Sequence, residues 1–425
     1  LRDNGGVTGR YKPKEETMFI TRRSLLGTTA AAAILPTAAA RAQTASIKIG
    51  ILGDESGVYR DLSGPIAIEC VKLAVAESKA AGRDIPVEFV TGDHQNKPDI
   101  GAALARQWIE RDKVDLIIDV PNSAVALAVA GVCKDLDRVY INSPGATADL
   151  TGPQCAPTTI HWTMDTWMLA HSTGGAMVKA GGDSWFFITA DYAFGHALER
   201  DTANFVSKAG GKVLGNVLAP LGNSDFSSFL IQAQSSGAKV IGLANAGADT
   251  VNCIKQAGEF GITAKGTKLA GLLVFVSDVH ALGLQTAQGI VVSNTFYWDR
   301  DDRTRAFSKR LQPHIGNARA GMGQAGCYAG TWHYLKAVAA MGIADAKKSG
   351  AATVAKMKSM PTDDDAFGAG KIRDDGRCLH PVYLYEVKSP AESKYAWDYY
   401  KLLATTSAED GFRPLAEGGC PLVHA

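Results

Sequence analysis

Three short segments gather small and hydrogen-bonding residues: Glu55-Ser56-Gly57-Val58-Tyr59, Pro121-Asn122-Ser123 and Ser143-Pro144-Gly145-Ala146-Thr147. These residue types suit non-covalent capture of a small anion. Glycine and other small residues let backbone N–H groups come close to a ligand. Ser and Thr hydroxyls add donors, and a helix starting just after the loop adds the partial positive charge of its amino end. Together they hold a carboxylate without a cationic side chain. The same residues also serve as ordinary helix N-caps, so no single loop decides between the two roles.

Bond-making chemistry has no comparable signature. There is no G-x-S-x-G elbow. The nine histidines are scattered, without an H-x-x-x-H pair or a Cys/His cluster at ligand spacing, so neither a metal nor a cofactor is expected. Gly321-Met322-Gly323-Gln324-Ala325-Gly326 fits G-x-G-x-x-G by spacing but follows no strand, which a dinucleotide site requires. It reads as the glycine-rich start of a helix. His94 reads as a turn residue and not as a general base. The chain is therefore not expected to be an enzyme.

The elements around the three segments explain their placement. Ser46–Leu52 is a β-rich run before the first segment, and a helix opens at Ser63 or Gly64 with Pro65 in its first turn. Val87–Val90 is the next strand, followed by a helix from Asp99, as its cap, to Arg111. Val114–Val120 is a nearly continuous apolar strand before the second segment, which opens a helix over 123–135. Arg138–Asn142 is a strand before the third. The pattern then restarts with strands at Asp183–Thr189, Lys212–Leu218 and Lys239–Ala244, and helices over 194–209, 226–236 and 248–260. Leu269–Phe275 and Gly289–Ser293 are expected to continue that second sheet. Helices follow near 322–341 and 351–360, and two late runs, PVYLYEVK and AWDYYKLL, read as a hairpin. Strand–helix alternation of this kind specifies parallel sheets covered by helices. Two such lobes, crossed several times by the chain, form a hinged clamp. All three segments fall at strand carboxyl ends, where open α/β sheets bind ligands, so the ligand belongs between the lobes.

Length and charge agree. A chain of 425 residues exceeds one ordinary core, and Lys+Arg minus Asp+Glu is 44 − 43 = +1. No basic excess points to nucleic acid or an anionic membrane surface. Residues 18–42 carry Arg22-Arg23, an apolar run from Leu25 to Leu35 and an Ala40-Arg41-Ala42 cleavage pattern, the layout of an export signal with a twin-arginine look. The run is about half the roughly 20 residues needed to span a bilayer. Residues 1–17 read as an extension outside the native pattern. An exported, soluble protein of the periplasm is expected. Of seven cysteines, Cys155 and Cys420 sit beside proline in loop-like sequence and are expected to pair, while Cys70, Cys253 and Cys327 read as buried small hydrophobes.

Five segments carry a family resemblance: IKIGILGDESGVY at 47–59, INSPGATADLT at 141–151, TADYAFGHALERD at 189–201, NSDFSSFLIQAQSSGAKVIGLANAGAD at 223–249 and YLYEVKSPAES at 383–393. The chain resembles the branched-chain amino acid (leucine/isoleucine/valine) type of ABC-transporter substrate-binding protein over residues 43–425. The resemblance implies an α/β protein of two Rossmann-like doubly wound lobes joined by a multi-crossing hinge, the type I periplasmic binding protein fold. Lobe one would comprise 43–160 plus 297–375, lobe two 163–294 plus 380–405, and 406–425 a tail. It implies a monomer that delivers a small molecule to an ABC permease in the inner membrane. The candidate ligand residues on lobe one are Tyr59, Asn122, Ser123, Ser143, Gly145 and Thr147, with Ser123, Gly145 and Thr147 matching the family's carboxylate loops. On lobe two they are Tyr192, Phe194, Asn245 and Leu273, with Trp162 as a further wall.

One departure bears on the cargo. Amino-acid-binding members place an acid after a second-lobe strand, opposite the ligand ammonium. Ala270–Phe275 has none here, and another cleft aromatic is replaced within Ala244-Asn245-Ala246-Gly247. An unpaired buried ammonium costs several kcal/mol. The expected ligand is therefore an aromatic or short aliphatic carboxylate. An amino acid or amide stands as the alternative, with Asp249 or Asp278 as its possible acid. A periplasmic sensor and a hydrolase on the same scaffold are the remaining readings.

Overall fold

Short apolar strands alternating with helices build the first lobe. The structure, a computed structural model, describes residues 45–263 and 266–423; the expectations for 1–17 and 18–42 lie outside the described residues. β1 (Ile47–Gly53), β2 (Val87–Asp93), β3 (Leu116–Asp119), β4 (Val139–Asn142) and β5 (Thr159–His161) form a sheet in the order β2-β1-β3-β4-β5. Every pairing is parallel, and the register sets Ile51 beside Ile118 and Ile118 beside Ile141. All four residues of β3 are buried, as its unalternating Leu-Ile-Ile-Asp requires of a strand covered on both faces. The covering helices are α1 (Gly64–Ala80), α2 (Pro98–Glu110) and α3 (Ser123–Asp135). Lys97, not Asp99, is the N-cap of α2, because Pro98 takes the first helical position and draws Asp99 into the first turn.

The chain crosses to the second lobe and alternates again through α4 (Thr166–Lys179), β6 (Ser184–Ala190), α5 (Ala193–Lys208), β7 (Lys212–Ala219), α6 (Ser227–Ser235), β8 (Val240–Ala244), α7 (Ala248–Glu259) and β9 (Lys268–Gly271). The parallel sheet runs β7-β6-β8-β9. Two expectations are corrected here. The strand expected over Leu269–Phe275 ends at Gly271, and Leu272–Phe275 is a loop before α8 (Val276–Leu282). Gly289–Ser293 does not continue the parallel sheet. After α9 (Leu284–Ala287) it becomes β10 (Val291–Asn294), which pairs antiparallel with a strand from the end of the chain. A short apolar run identifies a strand but not its partner.

The chain then returns to lobe one through α10 (Asp302–Ile315), α11 (Met322–Met341), α12 (Ile343–Lys348) and α13 (Gly350–Lys358). There Arg310 Nε and the Tyr328 hydroxyl both donate to Glu77 of α1, each at 2.6 Å. A small sheet of β11 (Thr362–Asp364), β12 (Gly368–Ile372) and β13 (Cys378–Leu379) precedes the last crossing. β14 (Val382–Val387) and β15 (Tyr400–Thr406) form the late hairpin and complete the sheet β10-β14-β15.

Two of the crossing segments, at 161–165 and 377–378, are tied by one buried arginine. Arg377 donates to Asp165 at 3.1 Å, to the His161 and Thr163 carbonyls and to the Cys378 carbonyl at 3.3 Å, and stacks over Phe412. Its charge is thus paired and hydrogen-bonded, the condition for burying it. Trp162 is core and not a cleft wall: Gly326 and Gly330 on α11 leave room for its indole, which is fully buried. The residues after β15 fold back onto lobe one. Arg413 donates to the Ala148 carbonyl at 3.0 Å, and Cys155 and Cys420 are joined by a disulfide with Cα atoms 5.6 Å apart. Cys70, Cys133, Cys253, Cys327 and Cys378 are free and buried.

Candidate ligand cleft

Lobe one presents its wall from a dense hydrogen-bond network. Asp54, just past β1, accepts from the Gly57 and Tyr59 amides at 2.6 and 2.9 Å and from Asn96 Nδ2 at 2.6 Å. This folds residues 54–59 into a turn that carries Tyr59 forward. The Ser63 hydroxyl donates to Asp119 at 2.5 Å and accepts from the Asp54 amide at 3.3 Å. Burial pushes the Asp119 carboxyl up to about 8. Gln324 of α11 donates to the Asp61 and Ser63 carbonyls at 3.1 and 3.2 Å, fixing the turn that carries Leu62.

The step from β3 to α3 is strained. Asp119 and Val120 have φ of 91° and 62°, and a β-branched residue in that region is a genuine outlier. Its neighbours hold it there: the Val120 amide donates to the Leu52 carbonyl at 2.9 Å, and Asn142 Nδ2 donates to the Val120 carbonyl at 3.1 Å. The kink delivers Pro121 to the cleft and sets Asn122 as the cap of α3, its Oδ1 accepting from the Ala124 and Val125 amides at 3.0 and 3.1 Å. The third segment is seated by α11. A Cβ on Gly323 would lie 2.7 Å from Pro144, and one on Gly326 2.2 Å from the Ser143 hydroxyl. The Gly321–Gly326 spacing thus serves close helix–loop packing, and Ser143 donates to the Gly323 carbonyl at 2.5 Å.

Lobe two offers rings and aliphatic groups. Tyr192 precedes α5 and Phe194 lies in its first turn, their ring centroids 6.0 Å apart. Ala246 follows β8, and Leu273 and Phe275 come from the loop after β9. The walls meet around a void of about 10 Å³ lined by Tyr59, Leu62, Pro121, Pro144 and Ala146 from lobe one and Tyr192, Phe194, Ala246, Leu273 and Phe275 from lobe two. That is room for about one water. The Tyr59 and Tyr192 hydroxyls hydrogen-bond to each other across it. Burial raises both phenols above their ordinary range, so both stay neutral. Beside them the Ala248 amide donates to the Val58 carbonyl at 3.3 Å, and Arg200 of lobe two lies 3.4 Å from Asp149 of lobe one.

Of the ten candidate residues, Tyr59, Tyr192, Phe194 and Leu273 line this void. Asn122, Ser123, Ser143, Gly145 and Thr147 stand directly behind Pro121, Pro144 and Ala146. The Ser123 hydroxyl accepts from the Thr147 amide at 3.1 Å, and Thr147 Oγ1 accepts from the Asp149 amide at 3.3 Å. Asn245 stands behind Ala246, accepting from the Thr250 hydroxyl at 2.6 Å. Neither second-lobe acid lines the void. Asp278 caps α8 by accepting from the Phe275 amide at 2.8 Å, and burial pushes it up to about 7. Asp249 accepts from the Gly222 amide at 3.0 Å, and burial raises it to about 6. His94 is buried and accepts from the Asn96 amide at 3.0 Å; burial lowers it to about 4. Leu62, Pro121, Pro144, Ala146, Ala246 and Phe275 are lining residues that residue chemistry does not single out. For the prolines, the available signal was position, two residues past a strand end.

Two parallel-sheet lobes, three chain crossings and a cleft at the strand carboxyl ends define a hinged binding protein. The chain belongs to the periplasmic binding protein family, whose model matches residues 46–394. It is a type I member of the ABC-transporter substrate-binding class. A periplasmic binding protein from Burkholderia mallei of known structure is 49% identical, covering 89% of this chain and 99% of that one, with a TM-score of 0.84. A branched-chain amino acid ABC transporter periplasmic ligand-binding protein from Burkholderia xenovorans is 35% identical, covering 89% and 100%, with a TM-score of 0.76. The Leu/Ile/Val-binding protein homolog 6 of Brucella melitensis is 25% identical over 86% of this chain and 93% of its own. A solute-binding protein from Rhodopseudomonas palustris in complex with 4-hydroxybenzoate shares the fold at 24% identity, covering 87% and 99%, with a TM-score of 0.77. No helix among the described residues is long and apolar enough to cross a membrane.

Proposed function

We propose that this protein captures a small aromatic carboxylate in the periplasm and presents it to an ABC permease. The observation that carries the reading is the cleft lining: ten residues, none charged, four of them aromatic, with the two tyrosine hydroxyls as the only polar side-chain groups. Such a surface favours a flat apolar ring and offers no partner for an ammonium group, whose burial unpaired costs several kcal/mol. The carboxylate is met by the amino end of α3 behind Pro121 and by the Ser143–Thr147 loop, with Ser123, Gly145 and Thr147 orienting backbone donors. The same fold encloses 4-hydroxybenzoate in the Rhodopseudomonas palustris protein. The void as it stands admits no ring, so binding requires the lobes to part and reclose, the hinge motion for which periplasmic binding proteins are themselves the standard example.

Calorimetry on the protein beginning at Gln43 tests this. Benzoate or a hydroxybenzoate is expected to bind one-to-one with micromolar affinity, and leucine is expected to give no heat. Micromolar leucine binding without a response to benzoates would sink the aromatic reading and favour the amino acid alternative. Genomic neighbours encoding a permease and ATPase, as against a receptor kinase, separate delivery from sensing.

A further inference from the structure

We propose that lobe two carries a second small-molecule site, separate from the cleft, which takes an amphipathic monocarboxylate. A cavity of about 720 Å³ opens between α4, α7, β9 and β10 and shares no lining residue with the cleft. That is within the range of ligand pockets, roughly 300–1,000 Å³. It exists because β9 pairs with β8 on one side only, while β10 has turned away to pair with β14. The gap between the two sheets is walled by apolar side chains, among them Met177, Ile254, Leu269, Ile290 and Leu384. These suit an alkyl chain.

The charge selects the head group. Among the described residues, Lys268 is the one charged residue of the lining, and no acid accompanies it. Its ammonium donates to the Ala180 carbonyl at 2.9 Å and makes no salt bridge among the described residues. Two of its three donors are therefore available to an anion. Lys268 begins β9, and the strand's carboxyl end leads to the cleft. The head group is thus held at the end of the strand remote from the cleft, and the tail runs along β9.

Octanoate, with 1-octanol as its neutral counterpart, tests the site by calorimetry. Octanoate is expected to bind one-to-one with a Kd of about 1 mM or tighter, the range open to an apolar ligand of its size. Lys268→Ala should weaken octanoate about fivefold, the upper end for a partly exposed ion pair, and leave octanol unchanged. Gly258→Phe should weaken both ligands at least about tenfold. A Cβ on Gly258 meets nothing within 4 Å, so the ring has room and the helix loses a glycine. Neither variant should alter benzoate binding. The proposal fails if octanoate shows no saturation. It also fails if octanoate is displaced by benzoate, or is lost in Tyr192→Ala while retained in Gly258→Phe, since each places it in the cleft.

Discussion

The two walls of the cleft are built on opposite principles. Lobe one presents prolines and an alanine on loops whose every turn is fixed from behind: Asp54 by two amides and Asn96, Asp119 by Ser63, Val120 by Asn142, and the Ser143 loop by glycines of α11. Lobe two presents rings with less behind them: Asp278 caps α8 and Asp249 holds Gly222. A polar network in a low-dielectric interior is rigid when satisfied and specifies backbone positions. Apolar rings specify shape and area instead. Under the proposed function, lobe one would hold the carboxylate by its backbone, and lobe two would cover the body that follows it.

The largest expected effect tests how far that rigidity depends on the tail. The disulfide between Cys155 and Cys420 closes a sequence separation of 265 residues onto lobe one. Cys155→Ser with Cys420→Ser should cost about 2–5 kcal/mol of stability. Cleft affinity should change less than about threefold, because the network behind Pro121 and Pro144 does not involve the tail. A chemical-denaturation midpoint and a calorimetric titration on the same variant check both. A large loss of affinity would show that the tail, and not the network, sets the wall.

Next comes the line where the walls touch. Gly247 has φ +62°, and a Cβ there would sit 2.5 Å from the Val58 carbonyl of the other lobe. Gly247→Ala meets a strained backbone and a clash that exists only when the lobes are closed. Ligand affinity should fall by about ten- to a hundredfold while the melting temperature falls only a few degrees. X-ray scattering should show a larger radius of gyration with ligand than wild type has. An unchanged Kd would mean that closure does not need this contact.

The walls also titrate in opposite senses. His94 of lobe one is lowered by burial to about 4 from the ordinary 6.5, so the folded state binds fewer protons than the unfolded one. Its stabilising contribution is full above about pH 6.5 and is lost as pH falls towards 4. Asp249 of lobe two is raised by burial to about 6 from 3.8, so the folded state binds more protons. Its contribution is full below about pH 4 and is lost as pH rises through 6. Each is on the order of 1–3 kcal/mol. His94→Gln should therefore steepen the fall in stability between pH 4 and 6, and Asp249→Asn should flatten it. Urea midpoints at intervals across that range check the signs; the same slope change in both variants would break the contrast.

Much of the frame was legible in the residues. The helices over 123–135 and 322–341 appear where their caps and apolar positions place them, and β3 declares itself by unbroken apolar character. Two long helices escape the pattern, as do the short α8, α9 and α12: α4 carries Gly174 in mid-helix, and α10 is strongly polar with Pro313 inside it. The switch of β10 to the antiparallel sheet was not legible either, because Val291–Asn294 suits either partner. In the cleft, Tyr59 and Tyr192 stand out as aromatics in turns. Leu62 and Phe275 do not, since only Gln324, the α11 glycines and the α8 cap bring them to the same void. What escapes is adjacency made by tertiary packing, which local pattern does not encode.

The smallest effect isolates the hydrogen bond between the two cleft tyrosines. Tyr192→Phe removes a hydroxyl and keeps the ring, so area and shape are conserved while the bond to Tyr59 is lost. A buried neutral pair contributes about 1 kcal/mol, and the Tyr59 hydroxyl left behind adds a desolvation cost of similar size. Affinity for a benzoate should fall about three- to tenfold. The double variant Tyr59→Phe, Tyr192→Phe leaves no orphaned hydroxyl and should recover part of that loss. Such recovery would place the value of the pair in mutual satisfaction across the cleft. If instead the double variant loses the sum of the two singles, each hydroxyl acts on the ligand independently, and lobe two contributes polar recognition as well as cover.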